Sequence, residues 1–129
     1  MTAAKLREFP HGIPFNAQVG IRLVRLHKDG VTIECPLRPE LFNGAGVLHG
    51  GVTATLADVA VGIALAAHLG RSRAATTVEM KINHLRPVTH GKMAARSHLL
   101  KVGSRLCCGR GEITGVDCVP DSGCITRHA

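Results

Sequence analysis

Residues 43–69 read NGAGVLHGGVTATLADVAVGIALAAHL, and this stretch decides how the rest of the chain is understood. From Val52 to Leu69, Ala and Leu are good helix formers, and no polar face emerges at a period of about 3.6 residues. The pattern predicts one long helix, buried all round. Asp58 is the only ionisable residue between His49 and His68. A buried carboxylate without a partner is costly, so it pairs with an arginine from a strand, takes a proton, or does chemistry. The length would also suit a membrane span, but the acid in its interior and the many Ala, Thr and Gly partition poorly into lipid, so no membrane is expected.

Just before the helix, Asn43 to Gly51 form a polar, glycine-rich entrance. The first N–H groups of a helix have no intrahelical partner and the macrodipole adds positive potential, so this end can hold a carbonyl oxygen that gains charge. Gly50 and Gly51 would let a ligand approach the backbone, or merely permit a sharp turn. Gly50 lies eight residues before Asp58, roughly 12 Å along a helix. One chain therefore cannot bring both to a single carbonyl. Two such helices running antiparallel across a dimer interface could, giving two composite sites per dimer.

Upstream, apolar residues cluster from Val19 to Leu26, Lys28-Asp29-Gly30 makes a turn, and Val31, Ile33, Cys35 and Leu37 alternate, which reads as a β-hairpin ended by Pro36 and Pro39. Residues 1–18 form an arm whose Pro10, Gly12 and Pro14 interrupt any regular period, and residues 19–129 form the domain proper. Downstream, Thr76, Val78, Met80 and Ile82 alternate with Thr77, Glu79, Lys81 and Asn83, a strand with one apolar face. Lys92 to Val102, Arg105 to Val116 and Gly123 to Arg127 are three more strands, with turns at Gly103-Ser104 and Pro120 to Ser122. The expected fold is α+β: an antiparallel sheet of five or six strands wrapped around one central helix, completed by side-by-side dimerisation into a continuous sheet.

The net charge of +7 makes an anionic partner plausible. Basic residues are scattered, and Trp and Tyr are absent, so nucleic acid ranks low. Five cysteines without a CxxC pair argue against a disulfide framework or structural zinc, and the eight histidines include no HExxH. Neither a metal nor a cofactor is expected. Vicinal Cys107 and Cys108 read as strand packing residues. Reduced thiols, and a beginning without an apolar core, point to the cytoplasm.

Asn43, His49, Gly50, Gly51, Leu56, Ala57 and Asp58, together with TTVEMKINHLRP (76–87) and KVGSR (101–105), resemble the signature of hotdog-fold acyl-CoA thioesterases of the phenylacetate-pathway branch. The likeness runs from about Val19 to the C-terminus. It implies an acyl-CoA substrate hydrolysed by a homodimer or a dimer of dimers. It further implies that the Gly50 N–H and the Asn43 side chain polarise the thioester carbonyl, while Asp58 of the partner activates water or attacks directly. Thr77 matches a hydroxyl position that orients this water, although serine is the usual residue and the strand pattern puts Thr77 on the polar face. His49 is expected to shape the loop and fix Asn43 or the substrate. Arg86, Lys101 and Arg105, near strand ends, are candidates for the coenzyme A phosphates. An enoyl-thioester hydratase or dehydratase and a non-catalytic acyl-CoA binding module are the rival readings, since fold does not fix activity.

Overall fold

The computed structural model describes residues 3–8, 12–70, 74–116 and 125–128. Two short helices, α1 (Ala3–Glu8) and α2 (Pro14–Val19), lead into the hairpin of β1 (Arg22–His27) and β2 (Gly30–Pro36). A 3-10 turn over Pro39–Leu41 and the glycine-rich loop then feed α3 (Gly50–Leu69), followed by β3 (Lys92–Val102), β4 (Cys107–Val116) and β5 (Ile125–His128). The five strands pair antiparallel in the order β1-β2-β3-β4-β5.

Strand periodicity sets the two faces of this sheet. In β2, Val31, Ile33 and Cys35 point inward and are buried, as are Met93, Ala95 and Ser97 of β3. The outward face carries ion pairs such as Lys92 with Glu34 at 2.8 Å. α3 lies across the inward face, burying Val52, Thr53, Leu56, Ala60, Ile63 and Ala64. Contact is close because β4 offers almost no side chain beneath the helix: a methyl group at Gly109 would stand 2.6 Å from Cγ1 of Val61. Ser97 fixes the position along the sheet. Its hydroxyl is fully buried, lies 2.9 Å from the carbonyl oxygen of Ala60, to which it donates, and accepts from the Val31 N–H at 3.1 Å.

The structure corrects four expectations. The described part of the arm is helical, and Pro14 occupies the first turn of α2, where its missing N–H costs nothing; Asn16 and Val19 of this helix are buried. α3 is not buried all round: Gly51, Asp58 and Gly62 are exposed on one face, since a single sheet offers only one surface to pack against. Its faint amphipathicity comes from small and apolar residues on that open face, not from burial. The alternating segment 76–82 is not part of the sheet: Val78 is 79% and Met80 44% exposed, and the chain provides no strand for it to pair with among the described residues. Finally, the strand expected from Arg105 begins at Cys107, because the Gly103 N–H donates to the Leu106 carbonyl and keeps Arg105 and Leu106 in the turn. The turn expected at Pro120 to Ser122, with Cys118, Gly123 and Cys124, lies outside the described residues. Cys35, Cys107 and Cys108 are free thiols, and burial raises the pKa of Cys35 and Cys107.

The tip of the first hairpin is fastened to β3. Asp29 accepts from Arg96 at 2.5 Å and from His98 at 2.8 Å, and its carbonyl accepts from the Leu99 N–H at 2.6 Å. The Arg96 guanidinium first, and then His98, hold the Asp29 carboxyl well below its ordinary value of 3.8. A depressed folded-state pKa means that this stabilisation is complete above the unfolded value and is lost as pH falls below it. Asp29→Asn is therefore expected to flatten the acid limb of stability, measured as urea midpoints between about pH 6 and pH 3; an acid limb identical to wild type would contradict this. Gly109→Ala is expected to destabilise the fold by about 1–3 kcal/mol through overpacking against Val61, read from the same urea titration.

Candidate functional site

The loop before α3 is built around Asn43. Its side-chain oxygen accepts from the N–H groups of Ala45 at 2.9 Å and Val47 at 3.2 Å, while its own N–H donates to the Val47 carbonyl at 2.8 Å. With that oxygen engaged twice, the polar group left to Asn43 is its NH2, a pure donor. The chain then reverses into the helix as His49 N–H donates to Leu41 and Leu48 N–H to Val88.

His49 is the N-cap of α3, and its Nδ1 accepts from the Gly51 N–H at 2.8 Å. That satisfies one of the orphan donors of the first turn. It makes no hydrogen bond to Asn43 among the described residues, so its observed contact is with the helix. The Gly50 N–H has no partner among the described residues and remains available at the positive end of a 20-residue helix.

Asp58 stands two turns further along, on the open face with Gly51 and Gly62. It is exposed, not buried as the apolar helix suggested, and enters no salt bridge among the described residues. Its partner is Thr77, whose hydroxyl donates to Oδ1 at 2.5 Å. Strand alternation placed Thr77 on a polar face away from such a role. It reaches Asp58 because residues 74–88 cross the helix instead of joining the sheet.

This crossing segment runs antiparallel to α3. Thr77 meets Asp58, His84 lies against Gly50, and the Val88 carbonyl accepts from Leu48 at the entrance. A methyl group at Gly50 would stand 3.3 Å from Cε1 of His84. Val47, Leu48, Gly50, Thr53, His84 and Arg86 line a cleft of about 280 Å³ here, with Leu85, Pro87 and Val88. His84 was missed in the sequence, where the one available signal is that it continues the parity of Val78, Met80 and Ile82 with a polar ring.

Within one chain the three candidate phosphate ligands do not converge. Arg86 lines the cleft. Lys101 and Arg105 sit at the opposite end of the sheet, since Gly115 of β4 faces Val88 near the helix entrance whereas Lys101 pairs with Cys108, beyond the Gly109 that lies under Val61. Among the described residues, no three His, Cys, Asp or Glu side chains gather as a metal site would require. α3 is long and apolar enough to cross a membrane by length and composition, but here its apolar face is spent on the sheet.

The family model of the thioesterase superfamily matches residues 45–119, more than half of the chain and the whole of α3, the crossing segment, β3 and β4. A presumed esterase of Haemophilus influenzae is 29% identical over 90 residues, 70% of this chain and 65% of that relative, so the chain spans just under two thirds of its length. The medium/long-chain acyl-CoA thioesterase YigI of Escherichia coli is 27% identical over 120 residues, covering 81% of this chain and 77% of that protein. A solved thioesterase family protein of Silicibacter pomeroyi superposes with a TM-score of 0.80 at 27% identity, covering 98% of this chain and 90% of its own. Two phenylacetic acid degradation-type proteins, from Thermus thermophilus and Ralstonia eutropha, share the fold at TM-scores of 0.74 and 0.76 with 20% and 17% identity. The helix laid across an antiparallel sheet is thus a hotdog fold, and the chain belongs to the thioesterase superfamily.

Proposed function

We propose that the chain hydrolyses the thioester of an acyl-coenzyme A, releasing the free acid and coenzyme A, at composite sites formed between two copies. The observation that carries this reading is Asp58, a solvent-facing carboxylate that enters no salt bridge among the described residues and has one oxygen held by the Thr77 hydroxyl. This carboxylate is oriented, with Oδ2 left to accept a proton from water.

In the proposed step, the thioester carbonyl of the substrate lies on the Gly50 N–H and the Asn43 NH2 of one copy. Asp58 of the second copy takes a proton from a water whose oxygen attacks the carbonyl carbon. The C–S bond breaks as the oxyanion collapses, and the proton passes to the departing thiolate. Preorganised donors matter most at the carbonyl, where removing one typically costs about 10² to 10³ in kcat. Arg86, at the same cleft, suits a phosphate of the coenzyme. The open, small-residue face of α3 and the exposed row of Val78 and Met80 support a second copy as their cover. The acyl-CoA thioesterase of E. coli, the relative described above, supports the substrate class.

Free thiol is expected to be released from acyl-CoA, and Asp58→Asn should lower kcat by at least about 10²-fold while leaving the oligomer intact, as measured by thiol release and gel filtration. Full activity in that variant would refute the assignment, and hydration of a 2-enoyl thioester without thiol release would redirect it to the hydratase reading. A second outcome tests the shared site. Mixing inactive Asp58→Asn with inactive Asn43→Ala should restore activity, because each mixed dimer regains one intact site; no recovery after confirmed subunit exchange would mean that Asn43 and Asp58 act within one chain.

A further inference from the structure

Two histidines flank the entrance of α3, and only one has a structural duty there. His49 commits Nδ1 to the Gly51 N–H. His84 forms no hydrogen bond or ion pair among the described residues, yet its ring is seated on Gly50, with Cε1, Nε2 and Nδ1 at 3.3, 3.6 and 3.8 Å from where a methyl group on that glycine would stand. Both ring nitrogens are therefore close to the Cα of Gly50, the residue whose N–H also lacks a partner among the described residues. The ring is exposed, so burial does not hold it there. Segment geometry does: Thr77 is fixed at Asp58 and Val88 at Leu48, which leaves the intervening His84 beside the helix entrance.

We propose that His84 is a carbonyl-binding residue, one whose ring N–H joins the Gly50 N–H in holding the acyl oxygen of the thioester. The inference rests on the thioesterase reading and deepens it by adding a donor from the crossing segment. Either nitrogen of a neutral imidazole can carry the N–H while the other accepts, so a hydrogen bond from this ring needs no charge. The donor strengthens as the oxygen gains charge and acts on kcat more than on substrate binding. His84 also gives the crossing segment a function at each end, orienting the acid through Thr77 and the carbonyl through the imidazole.

The test compares His84→Phe, which keeps an aromatic ring over Gly50 without its nitrogens, with His84→Gln, which keeps a donor without the ring. The expected result for His84→Phe is a fall in kcat of about 10- to 100-fold with KM changed less than about threefold, and partial recovery in His84→Gln. A wild-type kcat in His84→Phe, or equal losses in both variants, would overturn the proposal in favour of a covering role. Should the unsubstituted protein turn over no acyl-CoA, the thioesterase reading fails while this contact stays testable. In that case a non-hydrolysable 2-oxoalkyl-CoA thioether, which keeps a carbonyl oxygen one methylene from the sulfur, is titrated into 15N-labelled protein, and the ring nitrogens of His84, assigned by their loss in His84→Phe, are expected to shift. Saturable binding of the thioether without such a shift, or no binding at all, would refute the contact.

Discussion

The close docking of α3 on the sheet is the constraint from which the rest follows. A helix carrying mainly Ala, Val and Leu makes few long-range side-chain contacts, so it gains packing energy only if the backbones approach. Gly109 provides that approach under Val61, and Gly111 lies beneath Ala57. Ser97 then selects one position along the sheet, because its buried hydroxyl has partners only where the Ala60 carbonyl and the Val31 backbone meet it. Sliding the helix by a turn would break these bonds.

Once the helix is fixed, both ends of the site are fixed with it. The His49 cap satisfies the Gly51 N–H, and the Gly50 N–H before it has no partner among the described residues. Asp58, two turns on, faces away from the sheet because Leu56, Ala60 and Ile63 take the inward positions. The crossing segment is then guided along the open face, held by a side chain at Asp58 and by a backbone bond at Leu48. A single element thus reaches both the acid and the helix entrance, although about 12 Å of helix separate them.

The same constraint explains what one chain leaves incomplete. A single sheet covers only one side of a helix, and the other side here bears Gly51, Asp58 and Gly62, too small to shield each other or the crossing segment. The apolar row of Val78 and Met80 is exposed for the same reason. Under the proposed function, a second copy would cover this face and bring its own acid to the first copy's helix entrance, so assembly and chemistry would share one contact.

Periodicity and turn chemistry sufficed for the local structure. Alternation in 31–37, the Lys28-Asp29-Gly30 turn and the mainly apolar run after Gly51 are local signals, and the corresponding elements form close to where those signals lie. Gly50 and Asp58 stood out for a similar reason, as a glycine where a helix begins and an acid where only apolar residues would be expected, whereas Asn43 was singled out by the likeness to the thioesterase signature. What the sequence could not decide was burial and direction. The apolar helix read as enclosed, but enclosure depends on how many surfaces surround it, and that number is a property of the assembled chain. The alternating segment 76–82 read as a strand, but alternation states that a segment has two faces, not which neighbour will pair with it. Crossing the helix instead of joining the sheet turned Thr77 toward Asp58 and brought His84 to Gly50, contacts between residues 19 and 34 positions apart that only the tertiary structure could establish.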